Sequence, residues 1–457
     1  MVTDDRFAKC GLPGLVAALT LTLLVAACGA PTPSPSRSGS APVAAVPAGL
    51  VATPVTVPAG YGAPFDTPRS VLVPPGWRMS VWARLPDPRL AAWTPDGALL
   101  VSMPGDGEVV RLTPTPAGTA LSSVLISGLD QPHGLALAGS TLYVAQSNRV
   151  DAFDYAGGRV STPRPMVTDL PDAKSPDLHG AFAHALKSVA VGRDGAVYVS
   201  VGSTANISLA DRTATPPRAS ILRVAPGGGP PREFTAGVRN GTGLAIGPDG
   251  AMWTAVNERD DIEYPFDRPY GSDDAPVQGK VVPGYVRDHP AEAIARLTPG
   301  RDLGWPYCNP DPDTEPGLAG SPRNYAGMRF TRDQQTNPDG SKLDCSRLAP
   351  VEQGIGAHSA PLGLSFTTSA LPNGWGAGAL IGVHGSWDRT PPRAPEVSFY
   401  PWVNGTLGPQ RTLVGGFQAP DGSRWGRPVA AVQGPDGAVY ITDDDAGAVY
   451  RLAPPGR

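Results

Sequence analysis

Imidazole, guanidinium and carboxylate side chains collect at a few places in this sequence, each beside a short apolar run. HGAFAHALK (His179–Lys187) offers His179, His184 and Lys187. A histidine is the side chain suited to accept a proton near neutral pH; a histidine that only ties down a loop is the alternative. Arg239-Asn240 could aim a guanidinium at a carboxylate, or lie at the surface. Asn257-Glu258-Arg259-Asp260 ends another apolar run. Its oxygens would suit a calcium ion, and a solvated salt-bridge cluster would read the same way. HGSWDR (His384–Arg389) and WGRP (Trp425–Pro428) add Arg389 and Arg427. Three arginines and a lysine around one opening would favour an anionic ligand. The chain shows no Walker A motif, no GxGxxG between strand and helix, and no GxSxG nucleophile elbow.

The elements that must position these groups are short and repeated. GLAIGPDGAMWTAVNERD (Gly243–Asp260) is an apolar strand, a Pro-Asp-Gly turn and a second strand. Proline presets φ, aspartate bonds its own backbone and glycine supplies φ > 0, so the phrase reads as a β-hairpin. It returns at Leu90–Ser102, Pro132–Ala145, Leu186–Gly202, Pro361–Val383 and Pro428–Thr442. Six copies, each with room for about four strands, predict an all-β, six-bladed β-propeller. WRMSVWARL (Trp77–Leu85) precedes the first copy and is expected to pair with the last blade and close the ring. The stretch Asp261–Pro350, rich in Pro, Asp and Gly, is expected to be a long blade-connecting insertion that serves or covers a site. In a propeller the groups just ahead of the inner strands converge at one mouth, which is where the clusters above fall.

The 457 residues include 56 Gly and 54 Pro, against long helices, and carry a net charge of −4 with no basic stripe, against a nucleic-acid partner. Arg6 and Lys9 precede an apolar run, Leu15–Ala27, of signal-peptide length. It ends Val-Ala-Ala-Cys28, which looks like a bacterial lipobox. The expectation is cleavage of residues 1–27, lipidation of Cys28 and display on the extracytoplasmic face of the cell membrane; an ordinary signal peptide with an incidental cysteine is the alternative. Residues 28–70, rich in Pro, Ala and Ser, read as a tether, and 71–457 as the propeller. Cys308 and Cys345 then remain in a disulfide-permissive compartment and are expected to pair.

Taken together, the motifs resemble the glucose/sorbosone dehydrogenase family, six-bladed quinoproteins that use pyrroloquinoline quinone (PQQ) and Ca2+. The carrying phrases are His184-x-x-Lys187 with VGRDGAVYVSVGS, GVRNGTGLAIGPDGAMWTAVNERD, DLGWPY (Asp302–Tyr307), HSAPLGLSF (His358–Phe366), HGSWDR, WGRPV and DDDAGAVYRL. The resemblance covers roughly Pro75 to Leu452. It implies that His184 takes a hydroxyl proton as hydride leaves a sugar or related alcohol or aldehyde. It also implies that Lys187, Arg239, Asn240, Arg389 and Arg427 meet PQQ, and that backbone carbonyls of Asn257, Glu258 and Arg259 hold Ca2+. Lys187 stands where relatives usually carry Arg, and Asp388 where they carry Asn. A catalytically silent propeller that binds a glycan or a protein partner is the other reading.

Overall fold

A computed structural model describes residues 49–456. The expected signal peptide, Cys28 and the tether up to residue 48 lie outside the described residues. Six small sheets, antiparallel except for a short parallel edge strand on the third, make the blades of the expected propeller. Their innermost strands are Ala91–Trp93, Leu135–Ala138, Ser188–Val191, Gly243–Ile246, Pro361–Phe366 and Pro428–Gln433. Each inner strand touches the next, and the sixth touches the first, so the ring is closed.

The sequence phrase does what its residues dictate. In the fourth blade Gly250 has φ +80°, and Asp249 Oδ1 accepts from Ala251 N at 3.0 Å, closing the turn. The other carboxylate oxygen of that aspartate reaches an arginine on the third strand of the same blade, Arg296, at 2.9 Å. The contact recurs as Asp96–Arg111, Asp194–Arg223 and Asp436–Arg451. Near the axis the inner strands crowd together. A Cβ on Gly134 would meet Val189 N at 2.5 Å, and one on Gly363 would meet Val429 O at 2.7 Å, so only glycine fits.

Ring closure follows the expected route. Arg78–Arg84 pairs antiparallel with Ala448–Ala453 and becomes the outer strand of the sixth blade. Trp82 then packs edge-on to Tyr440 (4.7 Å between ring centroids), and Tyr440 likewise to Trp93 of the first blade (4.8 Å).

Two expectations need correction. Residues 51–70 are not part of an unstructured tether, because Val51–Pro54 pairs with Ser70–Val73 and both Val55 and Phe65 enter the core around Tyr450. Apolar residues spaced among prolines hid that packing. Nor is 261–350 one insertion between blades. Glu292–Leu297 lies within it and is the third strand of the fourth blade, with Gln353–Ile355 as the fourth. Residues 256–291 and 298–352 are therefore two excursions from a single blade. The first holds the edge-to-face tyrosines Tyr264, Tyr270 and Tyr285 and a short helix, Pro283–Val286. The second holds a hairpin of Cys308–Asp311 and Arg329–Arg332, stapled by the Cys308–Cys345 disulfide. The predicted cysteine pairing is correct.

Candidate functional site

Every inner strand is preceded, by no more than four residues, by a cationic or imidazole side chain: Arg89, His133, His184, Arg239, His358 and Arg427. The propeller brings these positions to one end of the channel. Among the inner strands lies a cavity of about 70 Å³, lined by small residues such as Ser188, Thr242 and Ala430 and by leucines such as Leu135 and Leu364.

His184 is held by the segment that follows the second strand of its blade. Its Nδ1 lies 2.8 Å from Ser203 Oγ and 3.1 Å from the Ser203 carbonyl. The Ser203 hydroxyl spends its own hydrogen on the Ala205 carbonyl. Both Ser203 oxygens therefore accept from His184, which puts the proton on Nδ1 and leaves a lone pair on Nε2. Nε2 makes no bond to a described residue. Burial, then the nearby Arg239 charge, lowers this imidazole to about 3, so it is neutral at pH 7. Gly202 lets the two sides of the site close in: a Cβ there would lie 2.6 Å from His184 and 3.3 Å from Asn240 Oδ1.

Arg239 is buried, and its guanidinium is fully engaged. Nη1 donates to the carbonyls of Asn257 (3.1 Å) and Glu258 (2.6 Å), Nη2 to Asn206 Oδ1 (2.9 Å), and Asp260 lies 3.6 Å away. Two of the three carbonyls expected to hold Ca2+ thus already face a cation of the protein itself. The Arg259 side chain serves elsewhere, in a buried ion pair with Asp333 at 2.6 Å that ties the two excursions together. Glu258 is buried beside Glu292, whose carboxylate accepts the Glu258 N–H at 2.6 Å. Burial and then mutual repulsion push the Glu258 carboxyl up to about 8, and burial takes that of Glu292 to about 7. Asn240 Oδ1 and Glu258 Oε1 are buried without a hydrogen-bond partner.

Next around the mouth are Asp260, His358 and Asp388, whose ligand atoms lie within 4.8 Å of one another. His358 Nε2 donates to the Val286 carbonyl at 2.7 Å, which leaves Nδ1 facing Asp260 Oδ1 at 3.4 Å. A neutral imidazole would point a lone pair at a carboxylate there, so the cluster is suited to a cation or a proton. On the far side Asp444 accepts from His384 Nε2 (2.8 Å) and is paired with Arg89. Arg427 donates to the His384 carbonyl at 3.0 Å. His133 Nε2, buried in the same region, has no partner.

The structure therefore brings His184, Arg239 and Asn240 together and places Arg427 with His384 across the mouth. It does not do the same for the remaining two. Arg389 is half-buried and bonds the carbonyls of Pro391 and Ala357. Lys187 is wholly buried, with Nζ on the Ala185 carbonyl at 2.6 Å and over the Phe182 ring at 4.6 Å. It props the loop carrying His184 rather than reaching an anion. Arg89, His133, Asn206, Glu292 and Asp444 were not anticipated. Arg89 and His133 could have been found by asking what precedes each inner strand; Asn206, Glu292 and Asp444 carry no such signal.

A TrAA12-like family model matches residues 71–454. Among solved structures, the holo form of a pyranose dehydrogenase PQQ domain from Coprinopsis cinerea superposes with a TM-score of 0.69 at 20% identity, covering 87% of this chain and 99% of that one. A calcium structure of a Trichoderma reesei enzyme of carbohydrate-active family AA12 gives a TM-score of 0.66 at 23% identity, covering 84% of this chain and 96% of that one. An uncharacterised protein of Borreliella burgdorferi is 30% identical over 110 residues, 23% of this chain, and the chain spans only 29% of that relative.

Proposed function

The chain belongs to the TrAA12-like family, and from that premise we propose that it is a PQQ-dependent dehydrogenase oxidising a sugar or related alcohol or aldehyde. The observation that carries the reading is His184: a neutral imidazole with its tautomer set by Ser203, a free Nε2, and a buried arginine beside it. The solved relatives include one bearing PQQ and one bearing calcium.

The residues present fit PQQ. Arg89 and Arg427 would meet its carboxylates, Arg239, whose N–H groups are already taken, would add its positive charge from beside them, and the unpartnered His133 Nε2 and Asn240 Oδ1 supply further polar contacts. The carbonyls of Asn257 and Glu258 do not suit Ca2+, since Arg239 occupies them. The carboxylates of Asp260 and Asp388 are the hard oxygens that would hold it instead. Bound there, the pair would supply a polarised, hydride-accepting quinone. His184 Nε2 would take the hydroxyl proton of the substrate, while Nδ1–H stays on Ser203 and keeps the ring in place.

A glycan-binding propeller without catalysis is the second reading, favoured by the Arg239 contacts in the expected calcium seat. One experiment separates the two: titrate purified apoprotein with PQQ and Ca2+, then follow the cofactor spectrum, the melting temperature and dye reduction with a panel of aldoses. PQQ should raise the melting temperature. His184→Ala should keep that rise and lose about a hundredfold or more in turnover. Without a spectral or thermal response to PQQ the enzyme reading fails, and a glycan-induced shift would then support the second. Unimpaired turnover in His184→Ala would remove His184 as the base.

A further inference from the structure

The two excursions of the fourth blade meet at a buried cluster that the proposed chemistry does not use. His289 comes from the first excursion, Asp311 and Asp313 from the second. Their side chains are only 2%, 5% and 3% exposed. His289 Nε2 lies 3.2 Å from Asp313 Oδ2 and 3.6 Å from Asp311 Oδ1, and the three ligand atoms fall within 4.8 Å of one another.

Two of the three members are aimed by a second contact. His289 Nδ1 donates to the Tyr285 carbonyl at 3.0 Å, and its ring stacks on that of Tyr285 at 4.1 Å. Asp311 accepts from Asp313 N at 2.9 Å and from Thr331 Oγ1 at 2.7 Å. An imidazole whose other nitrogen donates to a backbone carbonyl is the usual posture of a metal-ligating histidine.

What is missing from the cluster points the same way. With its proton on Nδ1, the imidazole turns an Nε2 lone pair toward two buried carboxylates. Something positive must lie between them. Against the opposing cost of burial, the two carboxylates hold the imidazole up to about 9, so a second proton on Nε2 is the metal-free way to meet them, but neither Nε2 nor Asp313 Oδ2 makes an aligned hydrogen bond despite their proximity. The spacing suits a metal ion. Two ligands each about 2.1 Å from one tetrahedral ion lie about 3.4 Å apart, between the two distances above. One imidazole nitrogen with two carboxylate oxygens fits a divalent ion of the zinc or manganese class better than calcium, which prefers an all-oxygen shell.

We infer that His289, Asp311 and Asp313 bind one divalent transition-metal cation, which clasps the two excursions together. The clasp lies next to the short helix Pro283–Val286, whose Val286 carbonyl holds His358 at the mouth. It is independent of PQQ, and so is its test. Chelator-stripped protein, without PQQ, is titrated with Zn2+ and separately with Mn2+ by equilibrium dialysis and thermal shift. Wild type should bind an equivalent at this clasp and melt at higher temperature. Asp313→Asn should lose that equivalent and the thermal gain, whereas Asp260→Asn, altered at the mouth, should keep both. If wild type binds neither metal, or Asp313→Asn binds as much as wild type, the clasp is a protonated histidine between two aspartates and the inference is wrong. Should Asp313→Asn fail to fold, X-ray absorption on Zn2+-loaded Asp260→Asn protein decides the matter. A first shell with one imidazole and oxygens at about 2.0–2.1 Å is expected; a shell lacking imidazole overturns it.

Discussion

Lys187 shows how far residue type alone carries. Its place three residues after His184 suggested a cation for an anionic ligand, and the structure puts it in the core instead. Burial pushes its ammonium down to about 7, well below the usual lysine range, with Asp172 pulling the other way. The folded state thus prefers the neutral amine. Between about pH 7 and pH 10 the unfolded chain holds a proton that the folded chain has released. Stability contributed at this position therefore rises with pH across that window. Lys187→Met should flatten that part of the profile, seen as a smaller gain in melting temperature from pH 7 to pH 9 than in wild type. Equal slopes would mean that the lysine stays charged in the fold. His184 could be singled out from the sequence because the chemistry it can do is written in its type. Its tautomer could not, since that depends on Ser203 and Ala205, which are too ordinary to stand out.

At the scale of elements, turn chemistry was readable and long excursions were not. The Pro-Asp-Gly or Arg-Asp-Gly turns at Gly97, Gly195, Gly250 and Gly437 each announce a hairpin, because the aspartate and glycine have local work to do and apolar runs flank them. The arginines that complete these turns also repeat, as Arg111-Leu-Thr-Pro, Arg223-Val-Ala-Pro, Arg296-Leu-Thr-Pro and Arg451-Leu-Ala-Pro. That pattern marks the third strand of four blades and would have shown Glu292–Leu297 inside the supposed insertion. Spacing hid it, as strands paired across the sheet are far apart in the chain. The second excursion relies on a covalent staple for its order. The Cys308–Cys345 bridge closes a separation of 37 residues, and such a loop is worth about 4 kcal/mol in the chain-entropy model. Cys308 also packs in the core with Leu303, Met328 and Val351, so loosening the excursion should be felt by the blade. A Cys308→Ser/Cys345→Ser protein should lose stability of about that size in denaturant titration. A loss under about 1 kcal/mol would show that packing alone holds the excursion.

At the scale of the whole molecule, the ring is closed by a strand from the far end of the chain. Arg78–Arg84 joins a blade whose other strands begin at Pro428, so the first and last parts of the propeller must fold together. Six recurrences of one phrase made this architecture legible, because no single four-stranded sheet can bury both its faces alone. The same closure makes Trp82 unlike an ordinary core residue. It is 1% exposed and bridges the closing strand to Tyr440 and, at 6.3 Å, to Trp93 of the first blade. Truncation to alanine removes an indole from a seam between two blades, where relaxation on one side opens the other. The expected cost of Trp82→Ala is about 3–5 kcal/mol, typical of a buried aromatic. Trp387 offers the matched control, for it stands 76% exposed in the loop after the fifth blade's second strand, and Trp387→Ala should change stability by less than about 0.5 kcal/mol. Chemical denaturation of the two variants side by side reads the difference. Comparable losses from both would mean that the seam carries no special share of the ring's stability.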